Sequence, residues 1–346
     1  MEEDVQSIDH TELSKIFEQH GYVFVKSIGK GGFAETFLLN SIKYQCQFCA
    51  KVFFASIERH ENLKLSYERE INALLKLSHP FIEKVYDHFT YKDNFILILE
   101  FCPGLSLQQI ISSTGPLHYS LLVLYSHHLL EALQFCHSHN VCHGDIKPSN
   151  IMASGESIKI IDFGLALHCD CEKQKVSGGS IPYFAPEMFR NNPVDPTKCD
   201  IWAAGVTFYN MAFGRRPFNG ENTEQLKQVI TMGLIPITEH INPLYIDLIK
   251  QCLCVNPQNR PSAEQLLKLP VFNDLISEER VRFSYQKSSS LMQISRSKRP
   301  SLPTYISRIH CTNQTKNLSK SSKMFNHLPM PTFQDWNCIN KAGETN

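Results

Sequence analysis

Eight consecutive residues, His143-Gly144-Asp145-Ile146-Lys147-Pro148-Ser149-Asn150, constrain this chain more than any other stretch. They place a carboxylate, an ammonium and a side-chain amide close together. Gly144 and Pro148 make the segment a loop rather than a helix interior. Further on comes Asp162-Phe163-Gly164, directly after the apolar run Ile158-Lys159-Ile160-Ile161. A base, a phosphate-neutralising cation and two oxygen ligands for a hard metal ion are the parts that phosphoryl transfer from a nucleotide requires.

The N-terminal part supplies candidates for the rest. Residues 1–20 are polar with weak helical periodicity at Leu13, Ile16 and Phe17, which suits a short capping helix or a disordered lead. From Tyr22 the pattern alternates, with Tyr22 and Phe24 on one face and Val23 and Val25 on the other. This strand runs into Ile28-Gly29-Lys30-Gly31-Gly32-Phe33-Ala34 and resumes as Glu35 to Leu39. Glycines without Cβ atoms let such a hairpin approach phosphates closely, although a plain turn explains G-x-G equally well. The absence of a following helix argues against a dinucleotide fold or a Walker loop.

A third strand, Gln47–Phe53, carries Lys51 among apolar neighbours. That lysine either snorkels to solvent or is held for an anion. The next helix, about Leu63–Leu77, has an apolar stripe at Ile71, Leu74, Leu75 and Leu77. It offers Glu70 as a partner for Lys51 and ends at Ser78-His79-Pro80. Two more strands, Val85–Thr90 and Asn94–Phe101, precede the break at Cys102-Pro103-Gly104. Beyond it the pattern is helical: Leu107–Ser112, Leu117–Asn140, Asp200 to about Phe213, then about 222–232, 244–253 and 262–269. Residues 165–179 read as a polar mobile loop that closes on Ser180-Ile181-Pro182-Tyr183-Phe184-Ala185-Pro186-Glu187.

Charge is unevenly distributed. The formal net charge is zero, yet residues 281–334 hold nine Lys or Arg, fifteen Ser or Thr and no acid. The other segments therefore carry nine more acids than bases. Such a tail buries too little apolar surface to order itself and is expected to be disordered. A basic tail on an acidic body suggests docking within the chain, an acidic partner or a nuclear address. Phosphorylation within Arg296-Ser297-Lys298-Arg299-Pro300-Ser301 would weaken such docking. The start Met1-Glu2-Glu3-Asp4 is unlike a secretory signal, and no 18-residue apolar run exists. The twelve cysteines are scattered without repeated zinc-site spacing. These features lead to the expectation of a cytoplasmic or nuclear protein in a reducing compartment, with no membrane span and no nucleic-acid partner.

Taken in order, Gly29-x-Gly31, Lys51, Glu70, His143-x-Asp145-x-Lys147-x-x-Asn150, Asp162-Phe163-Gly164, Ala185-Pro186-Glu187 and Arg260 resemble the eukaryotic protein kinases across about residues 21–274. The resemblance implies an α+β, bilobal fold. A small β-rich lobe (about 21–101) would join a larger, mainly α-helical lobe (about 102–274), with a tail from 275 to 346. It also implies ATP and Mg²⁺. Asp145 would accept the substrate proton, Lys147 would steady the transferred group, and Lys51, oriented by Glu70, would bind the α- and β-phosphates. Asn150 and Asp162 would hold Mg²⁺. Ile28, Gly29, Lys30, Gly31, Gly32, Phe33, Ala34, Thr36, Cys49, Leu99, Glu100, Cys102 and Met152 would surround the nucleotide. Glu187 and Arg260 would pair to anchor the activation segment, and Asp200 would support the catalytic loop. Asp-Ile-Lys-Pro-x-Asn, with Ser180, resembles the serine/threonine class, so protein Ser/Thr hydroxyls are the implied acceptors.

Departures from the family pattern matter. Gly144 stands where most members have an Arg that receives an activation-loop phosphate. Its absence implies control that does not need such a phosphate. Ala34, Thr36 and Cys49 replace a Gly, a Val and an Ala, and Cys49 reads as a small hydrophobe. The competing reading is a pseudokinase, a nucleotide-binding scaffold that has lost the chemistry; Lys51, Asp145 and Asp162 are all present against it. A small-molecule kinase of the same fold is disfavoured by the extended segment ending in Ala-Pro-Glu.

Overall fold

The structure, a computed structural model, describes residues 10–31, 34–54, 60–169, 174, 176, 178–190, 192–237 and 241–275. The chain divides into two units, Met1–Val271 with Met330–Asn346, and Phe272–Pro329. The tail, from 276 on, lies outside the described residues, as do Gly32, Phe33 and Ser177.

Within the first unit, helix α1 (His10–Gln19) precedes strands β1 (Tyr22–Lys30), β2 (Glu35–Ser41) and β3 (Gln47–Phe53). Helix α2 (His60–Leu74) follows, then β4 (Val85–Tyr91) and β5 (Asn94–Glu100). The five strands form one antiparallel sheet in the order β1-β2-β3-β5-β4. Strand alternation decides what each face does. Phe48, Ala50 and Val52 of β3 join Phe37, Leu39, Ile96 and Ile98 in a core that α1 completes with Leu13, Ile16 and Phe17. A ten-residue helix is marginal alone. Burying three large apolar side chains at about 1.5–3 kcal/mol each makes it part of the sheet. Glu12 also accepts from Tyr91 Oη at 2.9 Å and pairs with Lys92 Nζ at 2.6 Å.

Cys49 and Lys51 point to the opposite face, in register with Leu99 and Leu97. Helix α2 packs there. Tyr67 stacks on Phe95 with ring centroids 4.8 Å apart and meets Phe53 edge-on at 6.0 Å. The buried residues of α2 are Leu63, Tyr67, Glu70, Ile71, Ala73 and Leu74 among those described. Leu75, expected among them, is exposed, because it falls one residue past the buried arc. Glu70 is fully buried with them instead of lying beside the apolar stripe.

The helical part begins with β6 (Leu105–Ser106) and α3 (Leu107–Thr114). Helix α4 (Tyr119–Ser138) is buried on most of its circumference, as a central helix should be. Then come β7 (Val141–Cys142), β8 (Ile151–Ser154), β9 (Ser157–Ile160) and β10 (Leu167–His168). Helices α5 (Pro196–Phe213), α6 (Thr223–Met232), α7 (Pro243–Cys252) and α8 (Ala263–Leu266) complete the unit. Helix α5 starts one turn before the expected Asp200. Asp195 caps it by accepting the Thr197 N–H at 2.9 Å, and Pro196 takes the first helical position, where no N–H is needed.

Two small sheets position the loops. β6-β8-β9 carries the segment after Asn150, and β7 pairs with β10 across the two functional loops. Cys142 and Cys169, at the ends of that ladder, form a disulfide with Cα atoms 6.5 Å apart. Within 165–179, where 170–173, 175 and 177 lie outside the described residues, Gln174 is tied on two sides. Gln174 and Val194 exchange two backbone hydrogen bonds of 2.9 Å, and Gln174 Nε2 donates to the His168 carbonyl at 2.7 Å. Among the described residues no helix is long and apolar enough to cross a membrane.

Candidate active site

The loop 143–150 is held from beneath by one carboxylate. Asp200 Oδ2 accepts the His143 N–H and Oδ1 accepts the Gly144 N–H, both at 2.9 Å. Its Oδ2 also meets His137 Nε2 at 3.0 Å. Burial opposes ionisation of Asp200. The His137 hydrogen bond and charge and the backbone N–H of Gly144 outweigh it and hold the carboxyl below its usual range. His143 is buried between two further bonds: Nδ1 accepts the Asp145 N–H at 3.2 Å, and Nε2 faces the Ile161 carbonyl at 3.1 Å. With Nδ1 accepting, Nε2 is the ring nitrogen placed to donate to the Ile161 carbonyl. Its ring also packs edge-on against Phe163 at 4.7 Å.

Asp145, Lys147 and Asn150 are brought together as the motif suggests, and Ser180 joins them. Lys147 Nζ donates to Asp145 Oδ2 at 2.5 Å and to Ser180 Oγ at 2.9 Å. Asp145 Oδ1 accepts the Ser180 N–H at 3.0 Å. Asn150 Nδ2 donates to the Asp145 carbonyl at 2.9 Å and to Oδ2 at 3.2 Å. With its amide nitrogen so committed, Asn150 presents Oδ1 as its other polar atom. That oxygen and the Asp162 carboxylate are both hard oxygen donors, the kind that Mg²⁺ takes.

A second constellation surrounds Lys51. Its Nζ donates to both oxygens of Glu70 and to Asp162 Oδ1, each at 2.7 Å. Burial disfavours the ammonium, but the charges of Glu70 and Asp162 outweigh it and raise its pKa. Partial desolvation opposes ionisation of Asp162, whose side chain is still 48 % exposed, yet the Lys51 charge and hydrogen bond hold its carboxyl down at about 2. Asp162 adopts φ +67°, a left-handed backbone that non-glycine residues rarely hold without local support.

The described residues expected around the nucleotide fall on the β1–β2 hairpin, β3, the end of β5 and β8. Ile28, Gly29, Lys30 and Gly31 lead to the tip of the β1–β2 hairpin, where the Gly31 N–H donates to the Ala34 carbonyl at 2.8 Å. Thr36 lies opposite Lys51 in register. Leu99 is buried, and Glu100 and Cys102 lie in the segment leaving β5. The Glu100 side chain has a further task, a 2.9 Å ion pair with Lys159. Met152 is half-buried on β8. Burial pushes the Cys49 thiol up to about 12, which suits an inert space-filler rather than a nucleophile.

The end of the activation segment is anchored by Glu187 and Arg260. Arg260 Nη1 donates to Glu187 Oε1 at 2.8 Å and Nη2 to Oε2 at 3.1 Å. The guanidinium is buried, bonds the carbonyls of Cys254 and Lys198, and lies 5.0 Å from the Trp202 ring centroid.

The sequence reading missed Glu83 and His137. Glu83 lies between the end of α2 and β4, 5 % exposed, and its Oε1 accepts the Asp162 N–H at 2.5 Å. Burial, then the neighbouring Glu70 charge, push its carboxyl up to about 8 against the opposing pull of Lys51. The available signal was an acid entering a strand just after the apolar pair Phe81-Ile82. His137 gave none, since its partner Asp200 is distant in sequence.

The sequence pattern of the protein kinase domain matches residues 22–272. The chain is 31 % identical over 243 residues to the Aurora/IPL1-related protein kinase 2 of Caenorhabditis briggsae, covering 70 % of this chain and 80 % of that protein. It is 30 % identical over 249 residues to the carbon catabolite-derepressing protein kinase of Candida glabrata, covering 71 % of this chain and 40 % of that one. It is also 30 % identical over 251 residues to sperm motility kinase 2B of Mus musculus, covering 72 % and 51 % respectively. The chain thus spans about half or less of two of these relatives. With the motifs, the assembled loop and a match across most of its length, the chain belongs to the eukaryotic protein kinase family.

Proposed function

We propose that this chain is an active, Mg²⁺- and ATP-dependent kinase that phosphorylates serine and threonine hydroxyls of proteins, with residues 21–274 as its catalytic unit. The observation that carries the reading is the closed hydrogen-bond network of Asp145, Lys147, Asn150 and Ser180. Mg²⁺-ATP supplies the phosphoryl group. Asp145 takes the proton of the acceptor hydroxyl as its oxygen bonds phosphorus and the bond to the nucleotide's bridging oxygen breaks. A positioned base of this kind contributes about 10²–10⁴-fold. Lys147 sits where it can offset charge on the transferring group while Ser180 holds its other side. Lys51, kept in place by Glu70, meets the phosphates, and Asn150 and Asp162 hold the metal. Most of the acceleration then comes from positioning and charge neutralisation.

Purified protein incubated with Mg²⁺-ATP and a generic basic protein should transfer phosphate to Ser and Thr, read by phosphoamino-acid analysis. The Asp145→Asn protein is the control. Transfer no greater than the control would favour a scaffold that binds nucleotide without chemistry. Phosphotyrosine as the main product would overturn the acceptor class.

A further inference from the structure

Glu83 stands out because it is an acid buried beside two other acids, Glu70 and Asp162, with one cation, Lys51, among them. An apolar side chain would avoid that desolvation entirely. What the carboxyl group does there is visible in the backbone. The Glu83 N–H donates to the Ile160 carbonyl at 3.0 Å, and the Ile160 N–H donates to the Phe81 carbonyl at 2.8 Å. These bonds bolt the Glu83 main chain beside β9, two residues ahead of Asp162. From that fixed base its side chain accepts the Asp162 N–H at 2.5 Å. Asp162 is the residue with the left-handed backbone, φ +67°.

We infer that Glu83 is a positioning residue for the metal-holding Asp162. Its carboxyl oxygen takes the Asp162 backbone N–H and so fixes the left-handed backbone that presents the Asp162 carboxylate to the metal. Asp162 is then held from both ends, its side chain by Lys51 and its main chain by Glu83. Lys51 can turn toward phosphates without releasing Asp162, because the second hold does not involve the nucleotide. The inference rests on the proposed role of Asp162 in binding Mg²⁺.

The test uses the full chain with Glu83→Leu, Glu83→Gln and Glu83→Asp. Leu removes the acceptor at similar volume. Gln keeps a carbonyl at the same reach without the charge. Asp keeps the charge but withdraws the oxygen by one methylene. Two readouts do not depend on phosphate transfer: amide hydrogen exchange of the Ile160–Gly164 peptide without ligand, and the gain in ATP affinity on adding Mg²⁺. Glu83→Leu should exchange roughly tenfold faster and lose about tenfold of the Mg²⁺-dependent gain, with affinity for metal-free ATP unchanged. Glu83→Gln should keep both within about threefold, and Glu83→Asp should behave like Leu. Should Glu83→Leu fail to fold, the Gln and Asp pair decides, since a role through charge alone predicts the reverse order. Wild-type exchange and metal dependence in Glu83→Leu would overturn the inference, as would a wild type whose ATP affinity does not respond to Mg²⁺. Absence of phosphate transfer in a wild type that does show this metal response would overturn only the enzymatic reading.

Discussion

A Cβ built on Gly144 would lie 2.6 Å from the carbonyl oxygen of Leu165. The residue also has φ +79°. Both facts make this position a glycine site in the observed backbone, so the departure from the family's arginine has a structural reason. Gly144→Ala and Gly144→Arg should each lose about 2 kcal/mol or more of stability, read by urea denaturation. Neither should gain a dependence on activation-segment phosphate. An arginine variant with wild-type stability would show that the loop can shift away from Leu165.

Among the described residues, the activation segment has means of its own to stay tied. The Gln174–Val194 backbone pair and the Gln174 bond to the His168 carbonyl are such means. Ser177→Ala, beyond the described residues, should keep activity within about threefold of wild type. A loss above roughly tenfold would count against phosphate-independent control.

Ser180 Oγ accepts from Lys147 Nζ at 2.9 Å. Removing that hydroxyl leaves the ammonium one partner short and free to shift toward Asp145. Ser180→Ala should lower kcat about tenfold or more with a small change in the KM for ATP, while Ser180→Thr, which restores the hydroxyl, should recover most of it. Equal loss in both variants would assign Ser180 a packing role instead.

Arg260 is 1 % exposed and forms a two-pronged pair with Glu187. Replacing one member strands the other charge in a buried site. Arg260→Leu should cost about 3–5 kcal/mol of stability, with Glu187→Gln less severe because its amide oxygen still accepts. Chemical denaturation of both proteins checks this, and near wild-type stability in Arg260→Leu would contradict it.

His128 is buried on α4, stacked on Phe81 at 3.9 Å, and its Nδ1 has no hydrogen-bond partner among the described residues. Burial, only partly offset by Glu131 and reinforced by His127 and His79, lowers its pKa to about 4. The folded value lies below the unfolded one, so the unfolded chain binds more protons between about pH 6.5 and 4. Stability should fall as pH drops through that window. His128→Phe, which keeps the stack and removes the titration, should flatten much of the fall in urea midpoints between pH 7 and 5. An unchanged pH slope would exclude His128 as a main contributor.

The chain order of Lys51, Glu70, Asp145, Asn150 and Asp162 was legible because each belongs to a short local pattern. Gly144 and Pro148 mark a loop, alternation marks β3, and 3.6-residue spacing marks α2. The bilobal division was legible at Cys102-Pro103-Gly104, where periodicity changes from strand to helix. The burial of Leu63 and exposure of Leu75 were less so, since a stripe of leucines does not by itself say where the buried arc ends.

By itself, then, the sequence determined which chemical groups are present, in what order, and on which kind of element each sits. Tertiary structure alone decided which of them meet: Ser180 with Lys147, Gly144 with Leu165, His137 with Asp200, and Glu83 with the Asp162 amide. The physical reason is that periodicity and turn chemistry act over a few neighbouring residues. A hydrogen bond between residues 79 positions apart depends instead on how separate elements are bolted together.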